Sequence, residues 1–307
     1  MLIIGAGLSG LLAGVMYPTA TIIEAQAEPR IGHRATLRFR TDKVARATGI
    51  DFRRVTVRKG ISYFGSFVQP SIRLANWYST KVAGGIFDRS IWDIAPAERW
   101  IAPEDFQTQL IDQCSGRITW GEEFQADSWI SPKYPILSTI PMPKLCELYP
   151  KAVLTWPSPN FAYQPIVVDR YRITGGCDVY QTVYFPDPGM KTYRATLTGD
   201  LLIVESTALG DPNRELDQVL DAFGIETQLV ETLERGHHQR YGKIAPIDEA
   251  WRKRFILQMT TQYGIYSVGR FALWKNILLD DVHDDLLVIK RLIRLGHYEQ
   301  HLNAQKG

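Results

Sequence analysis

The sequence predicts an α/β protein in which a parallel sheet begins at the N-terminus and an antiparallel sheet follows in the middle of the chain. The first observation is that residues 1–24 alternate short apolar runs with a glycine-rich turn and a helical pattern. The second is a β-rich stretch over residues 160–205 that turn signals interrupt. The third is a return to helical periodicity near residue 281. We therefore expect two lobes that share a cleft.

Each element is justified by its local pattern, taken in chain order. After the opening strand, turn, helix and strand, residues 41–49 predict a short helix that Gly49 ends. Residues 50–100 show no clear period. Helices are predicted at 103–114, 213–223 and 281–302, and strands at 117–120, 135–140, 162–173, 178–185, 190–198 and 200–206. The predicted nucleotide lobe comprises residues 1–50, 101–150 and 241–307, and the substrate lobe comprises 51–100 and 151–240.

Composition narrows the class of protein. The 307 residues carry a net charge of +2 and are 45% hydrophobic, which is ordinary for a globular chain. No stretch approaches the roughly 20 apolar residues that span a bilayer, and the apolar start lacks a basic leader. We expect a cytoplasmic protein with no membrane contact. Cys114, Cys146 and Cys177 are widely separated, so neither a disulfide framework nor a metal site is expected.

The turn after the first strand carries the strongest motif. Gly5, Gly7 and Gly10 form a G-x-G-x-x-G pattern between a strand and a helix. The first glycine permits the tight turn, the second leaves room for a pyrophosphate, and the third lets helix and strand pack closely. Glu24 ends the second strand, where a carboxylate can accept hydrogen bonds from a ribose. The chain is therefore predicted to bind a dinucleotide.

Three further segments resemble the amine oxidase and UDP-galactopyranose mutase group of flavoproteins. Residues 30–33 resemble its R-x-G-G segment, with Gly32 in place and His33 where the second glycine would stand. Residues 136–141 resemble its T-x-P strand, and residues 264–276 resemble its G-R segment, which leads into a terminal helix. The resemblance implies FAD and a Rossmann-type FAD-binding domain with an interleaved antiparallel-sheet substrate domain. The implied cofactor-binding residues are Gly5, Gly7, Gly10, Glu24, Gly32, Thr139, Gly269, Arg270, Asp281 and Val282.

The chain also departs from that group. Residues 37–42 align with the mutase segment H-I-F-H-T, but Leu37 and Arg40 replace the two histidines. Residues 276–279 lack the tyrosine and the acid that serve a nucleotide sugar in the mutases. The resemblance therefore supports the fold more strongly than the mutase reaction. Arg40 is kept as a candidate catalytic residue.

Two more residues are candidates for catalysis. Lys243 is a lone lysine in an apolar segment, and the resemblance implies a lysine near flavin N5, although an exposed lysine at a strand end is the alternative. Trp274 could form a wall of the substrate cavity or belong to the core. His237 and His238 lie in a polar stretch that we interpret as a surface loop.

Charge is distributed unevenly along the chain. Residues 30–59 contain ten Lys and Arg against two Asp, a local charge of +8, which leaves −6 for the rest of the +2 chain. Such a run favours a phosphate-bearing ligand or nucleic acid. The alternative is a solvated surface with one or two arginines near the FAD pyrophosphate.

Together these features predict an FAD-dependent oxidoreductase that acts on a small-molecule or nucleotide-type substrate, with oxidation of a C–N bond as the expected reaction. One alternative is a non-redox isomerase of a nucleotide sugar, similar to UDP-galactopyranose mutase. Another is a phage-type flavoenzyme that trims an amino-acid adduct on hypermodified thymine in DNA. A flavin-bound structural protein is the last alternative.

Overall fold

The structure is a computed structural model that describes residues 1–29, 37–88, 90–125, 134–149, 157–207 and 215–304. Its helices are α1 Leu8–Met16, α2 Lys43–Thr48, α3 Ile72–Ala83, α4 Phe106–Gln113, α5 Met142–Leu148, α6 Leu216–Phe223, α7 Glu249–Tyr263 and α8 Leu279–Ala304. Its strands are β1 Leu2–Ile4, β2 Thr21–Glu24, β3 Arg38–Phe39, β4 Arg53–Tyr63, β5 Ser66–Phe67, β6 Ala97–Ile101, β7 Ile118–Trp120, β8 Ile136–Ser138, β9 Tyr163–Ile173, β10 Val179–Tyr184, β11 Thr192–Gly199, β12 Leu201–Thr207, β13 Val230–Ile244 and β14 Ile265–Ser267.

A five-stranded parallel sheet draws its strands from both ends of the chain, in the order β14-β8-β1-β2-β7. Side chains alternate across it, so Ile3 packs with α1, α4 and α8 on one face. Leu2 and Ile4 pack with α5 and α7 on the other face. Helices on both faces explain why the short strands are almost continuously apolar. The predicted α/β fold class is confirmed.

A second sheet has nine strands in the order β13-β9-β12-β11-β10-β4-β6-β3, with β5 paired to β4. Helix α3 packs against one face of this sheet and α6 against the other. Its strand pairs are antiparallel except β4 with β10, which run parallel. The prediction of an antiparallel sheet is therefore corrected to a mixed sheet. β3 falls in the predicted nucleotide segment 1–50, yet it pairs with β6 of this sheet.

Several described elements were not predicted from the sequence patterns, among them α5, β13 and β14. Residues 50–100 include β4, β5, α3 and β6. Helix α7 was also missed, although Asp248 caps it by accepting the Trp251 N–H at 2.6 Å. Its residues Trp251, Phe255 and Met259 are spaced four apart and buried, which is a helical signal.

None of the described helices combines the length and hydrophobicity that a bilayer crossing requires.

Candidate functional site

The carboxyl ends of four parallel strands meet at one edge of the five-stranded sheet. β1 leads into Gly5, β2 ends at Glu24, β8 leads into Thr139, and β14 is followed by Gly269. Strand order reverses between β1 and β8, since β2 lies on one side of β1 and β8 on the other. In open α/β sheets, ligands bind in the crevice at such a reversal. The structure therefore brings together residues that the sequence analysis selected from distant segments.

The glycine turn is shaped by backbone contacts. Gly5 has φ +95°, and a Cβ there would lie 2.2 Å from Thr139 Oγ1. A Cβ on Gly10 would lie 1.8 Å from the Gly5 carbonyl oxygen, which explains the close approach of α1 to β1. A Cβ on Gly7, by contrast, would meet no protein atom within 4 Å. The turn is therefore closed at its first and third glycines and open at its second.

The open position lies at the N-terminus of α1. Gly7 caps this helix without a side chain, and the first turn contains no acidic residue. The N–H groups of that turn and the helix dipole are thus available to a phosphate. Thr139 holds the turn from beneath, because its hydroxyl donates to the Ile4 carbonyl at 2.8 Å.

Glu24 is fixed in position by the backbone. One carboxylate oxygen accepts the Ala6 N–H at 2.7 Å, and the other accepts the Gln26 N–H at 3.0 Å. Each carboxylate oxygen has two lone pairs, so both retain the capacity to accept a ribose hydroxyl. Glu24, which is predicted to accept hydrogen bonds from the ribose, therefore lies next to the glycine turn, and a backbone N–H of that turn orients its carboxylate.

The segment after β14 connects this edge to the mixed sheet. Gly269 has φ +95°, and a Cβ there would lie 2.5 Å from Ser9 Oγ in α1. Arg270 donates to the Gly242 carbonyl at 3.1 Å. Trp274 donates its indole N–H to the Ala245 carbonyl, also at 3.1 Å. The chain from residue 269 to 274 therefore contacts both the glycine turn and the end of β13.

Trp274 belongs to the core. It is 2% exposed, and its backbone has φ +47°, a left-handed conformation that costs energy for a bulky residue. Its ring packs against Phe161 and Tyr241 at centroid distances of 5.2 and 5.7 Å. Trp274 does not line the cavity formed by the ends of α3 and β13, so its predicted catalytic role stays a prediction.

Lys243 does line a cavity. The volume of the cavity is about 360 Å³, and its walls come from the end of α3, the start of β9 and the end of β13. The lining residues are Ala83, Gly84, Ala162, Tyr163, Gln164, Pro165, Lys243, Ile244 and Ala245. The Lys243 ammonium lies 4.6 Å from the centroid of the Tyr193 ring, a cation–π contact.

A buried ionic group lies behind Tyr193. Glu205 is 5% exposed and accepts hydrogen bonds from the Tyr193 hydroxyl at 3.1 Å and from Arg194 through Nε and a terminal nitrogen. Burial by itself would raise the pKa of Glu205, but the charges of Arg194 and Lys243 and these hydrogen bonds lower it to about 2. These residues could not be recognised as a group from the sequence, because they face one another only after β11 and β12 pair.

Asp281 and Val282 lie in the first turn of α8, and Arg40 contacts that turn from the end of β3. Asp281 accepts the Leu278 N–H at 2.8 Å and pairs with Arg40 at 2.6 Å. Asp280 is buried and accepts the backbone N–H of Arg40 at 3.0 Å. Val282 is 2% exposed within the core. These contacts stabilise the N-terminus of α8. Arg40 does not line the cavity, so its predicted catalytic role stays a prediction. Gly32, a predicted cofactor-binding residue, lies outside the described residues.

The two histidines lie in a strand. His237 and His238 belong to β13 and pair with β9, so the interpretation as a surface loop was wrong, because turn-like polar residues here form the edge of a sheet. Within the described ranges, no three His, Cys, Asp or Glu side chains are grouped as a metal site would require.

Most described cations of the basic run are paired with acids, and five of these acids lie outside residues 30–59. Arg30 and Arg34 lie outside the described residues, which leaves eight of the ten cations. Six of these eight form ion pairs, which are Arg40–Asp281, Lys43–Asp284, Arg46–Asp42, Arg53–Asp178, Arg54–Glu98 and Lys59–Asp93. Arg38 instead donates to two threonine hydroxyls and two carbonyls of β10 and β11. The local charge that reaches solvent is therefore much smaller than +8.

No protein-family model matches the sequence, and no curated protein matches it. Among solved structures, an oxidoreductase from Methanosarcina mazei is similar, with a TM-score of 0.52, 12% identity, and coverage of 94% of this chain and 99% of that one. PqsL from P. aeruginosa, solved in complex with 2-aminobenzoylacetate, is similar with a TM-score of 0.50, 11% identity, and coverage of 97% and 87%. Aklavinone-11 hydroxylase in complex with FAD and aklavinone gives a TM-score of 0.46 and 12% identity, and coverage is 87% of this chain and 56% of that one. At these identities the likeness to the first two concerns the fold.

Proposed function

We propose that this chain is an FAD-dependent oxidoreductase. The observation that carries the proposal is the meeting of the glycine turn, Glu24 and Gly269 at the strand-order reversal of the parallel sheet. This edge fits the adenosine diphosphate half of FAD. It offers an open approach at Gly7, N–H groups without a side-chain cap, and a carboxylate fixed by two backbone N–H groups.

The flavin half would extend along the segment that joins the two sheets. Gly269 approaches α1, and Arg270 and Trp274 hold the end of β13 through its carbonyl oxygens. When bound, FAD supplies two-electron oxidation, and the substrate would lie in the cavity lined by Lys243. Our finer proposal is oxidation of a C–N bond, in which Lys243 orients the substrate or a water molecule and handles a proton.

The colour of the purified protein tests the cofactor. We expect a yellow protein that releases FAD, and not FMN, on denaturation. Gly7→Val should abolish FAD binding and leave the chain folded, since a Cβ at Gly7 meets no protein atom within 4 Å and the valine side chain would occupy the place of the pyrophosphate. Gly296→Val is the matched control, because a Cβ at Gly296 also meets nothing within 4 Å. A protein that stays colourless after incubation with FAD would contradict the proposal.

The role of Lys243 is tested by flavin reduction. Lys243→Met should retain FAD but slow reduction by substrate at least about tenfold. Lys253→Met, at a 71% exposed lysine of α7, is the control and should reduce at the wild-type rate. Equal rates of flavin reduction in Lys243→Met and Lys253→Met would contradict a catalytic role for Lys243.

The alternatives with phosphate-bearing substrates receive less support. A nucleotide sugar would bring two phosphates, yet Lys243 is the one cationic residue among those that line the described cavity. A DNA substrate was suggested by the basic run, most of whose described cations are paired. We therefore rank both below oxidation of a small molecule.

A further inference from the structure

The cavity at the end of α3 has a mostly apolar wall. Five of its nine lining residues are alanine, proline or isoleucine, and one is glycine. The other three are Tyr163, Gln164 and Lys243. In a small-molecule site of this size, a few polar groups fix the orientation of the ligand. The hydrogen-bonding capacity of these three side chains therefore decides which ligands the cavity accepts.

Two of the three polar side chains are engaged with other parts of the protein. The Lys243 ammonium lies against the Tyr193 ring, and its charge interacts with the buried carboxylate of Glu205. The Tyr163 hydroxyl accepts a hydrogen bond from Arg240 Nε at 3.3 Å. Both side chains thus have protein partners before any ligand binds.

Gln164 differs from both, because its amide makes no hydrogen bond within the part of the chain that the structure describes. Gln164 and Lys243 are partners in the β9–β13 pairing, so their side chains project from the same face of the sheet. Lys243 reaches Tyr193 on that face, and Tyr193 packs in the cluster beneath α3. The Gln164 amide is not sealed in the protein, so its oxygen and nitrogen remain accessible between the sheet and the end of α3.

A side-chain amide places a strict requirement on its partner. It offers an N–H donor and an oxygen acceptor side by side. A carboxylate can only accept and an ammonium can only donate, so either ligand would leave one group of the amide unpaired. Either would also bring a charge against an apolar wall, which costs free energy unless the charge is paired. A neutral ligand with an adjacent N–H and C=O satisfies both groups of the amide at once.

We propose that the cavity binds a neutral molecule with an N–H and a C=O on one edge, such as a primary carboxamide or a lactam with a compact apolar body. Gln164 receives this edge through two hydrogen bonds. The inference rests on the proposed function, because it names the substrate class of the same site. A lactam ring also contains a C–N bond, the kind of bond on which the proposed oxidation acts.

Four probes with the same benzyl group test the requirement. Phenylacetamide, methyl phenylacetate, phenylacetate and phenethylamine are titrated by calorimetry into the protein supplied with FAD. The ester is neutral but lacks the N–H donor, and the other two are charged. We expect phenylacetamide to bind at least about tenfold more tightly than each of the others, a difference of roughly 1.4 kcal/mol. Equal affinities, or preference for any of the other three, would overturn the inference.

Variants locate the site. Gln164→Leu removes both hydrogen-bonding groups at similar size, so it should weaken phenylacetamide binding at least about tenfold and abolish the preference over the ester. Gln262→Leu, at an exposed glutamine of α7, is the matched control and should bind phenylacetamide as the wild type does. Ala83→Phe would fill the cavity and should abolish binding of both neutral probes. Wild-type affinity for phenylacetamide in Gln164→Leu or in Ala83→Phe would overturn the inference.

Flavin absorbance, read in the same samples, separates the two proposals. Yellow protein that shows no preference for the amide contradicts this inference alone. Colourless protein that still binds phenylacetamide through Gln164 contradicts the proposed cofactor and leaves the amide site standing.

Discussion

The glycine edge of the parallel sheet and the cavity of the mixed sheet are built by opposite means. At the edge, Gly5, Gly10 and Gly269 allow backbone and side chains to approach to distances at which a Cβ would clash. At the cavity, Lys243 is supported by a ring and a buried ion pair from other strands. The glycine edge depends on residues that have no Cβ, and the cavity depends on a carboxylate and cations whose charges compensate one another.

This difference predicts how each site fails. A substitution at the edge acts through shape, so its effect should be insensitive to pH and salt. A substitution in the buried ionic group acts through charge, so its effect should change with the protonation of Glu205.

The largest effect is expected for Glu205→Gln. Glu205 is buried and Arg194 is 33% exposed, so removal of the carboxylate leaves Arg194 without its counter-charge in a partly buried position. This should cost about 3 kcal/mol in the free energy of unfolding, the lower end of the range for a buried pair. Glu98→Gln is the control, since the Glu98–Arg54 pair is exposed and its loss should change stability little. Urea denaturation measures both. Equal stabilities for the two variants would show that the buried group is not an energetic unit.

A somewhat smaller effect is expected for Gly10→Ala. The added methyl group would lie 1.8 Å from the Gly5 carbonyl oxygen, so α1 must move away from β1. Overpacking of this kind costs about 1–3 kcal/mol in the free energy of unfolding, and FAD binding should fall with it. Gly7→Ala is the control, with open space at its Cβ. Stability of Gly10→Ala equal to that of Gly7→Ala, measured by thermal denaturation, would contradict the close contact.

A dependence on pH should separate the two losses. Glu205 has its pKa lowered from 4.5 to about 2, so the stability it contributes is present above pH 4.5 and is lost as the pH falls toward 2. The difference in unfolding free energy between wild type and Glu205→Gln should therefore shrink over that range. The difference caused by Gly10→Ala should not. Denaturant titrations at several pH values between 2 and 7 measure both differences. The same pH dependence for both variants would contradict the assignment of one loss to charge and the other to shape.

The same contrast explains what could be predicted from the sequence. The glycine edge could be predicted because Gly5, Gly7 and Gly10 act within a single turn, and the spacing itself states the geometry. The cavity could not be predicted, since Ala83 and Lys243 meet only after α3 packs on the sheet. Lys243 was selected by its apolar surroundings, but its contact with Tyr193 depends on the pairing of distant strands.

Local sequence also misled where charge was counted. The run of residues 30–59 suggested a strong positive field, because a count along the chain cannot include acids such as Asp178 and Glu98 that pair with it after folding. Helix α7 was the opposite case, with its cap and its four-residue spacing present in the sequence but overlooked.

The smallest effect is expected for polyanion binding by the basic run. Ten free cations would give a log–log salt slope of about 9 with duplex DNA, since each phosphate contact contributes about 0.9. Because six of the eight described cations are paired and Arg38 bonds to β10 and β11, we expect a slope of no more than about 3. Arg58 is exposed and has no ion pair within the described ranges, so Arg58→Ser should lower the slope by about 0.9. Arg53→Ser, at a paired arginine, should leave it unchanged. Fluorescence anisotropy of a labelled oligonucleotide across a salt series measures the slope, and a value near 9 would restore the nucleic-acid alternative.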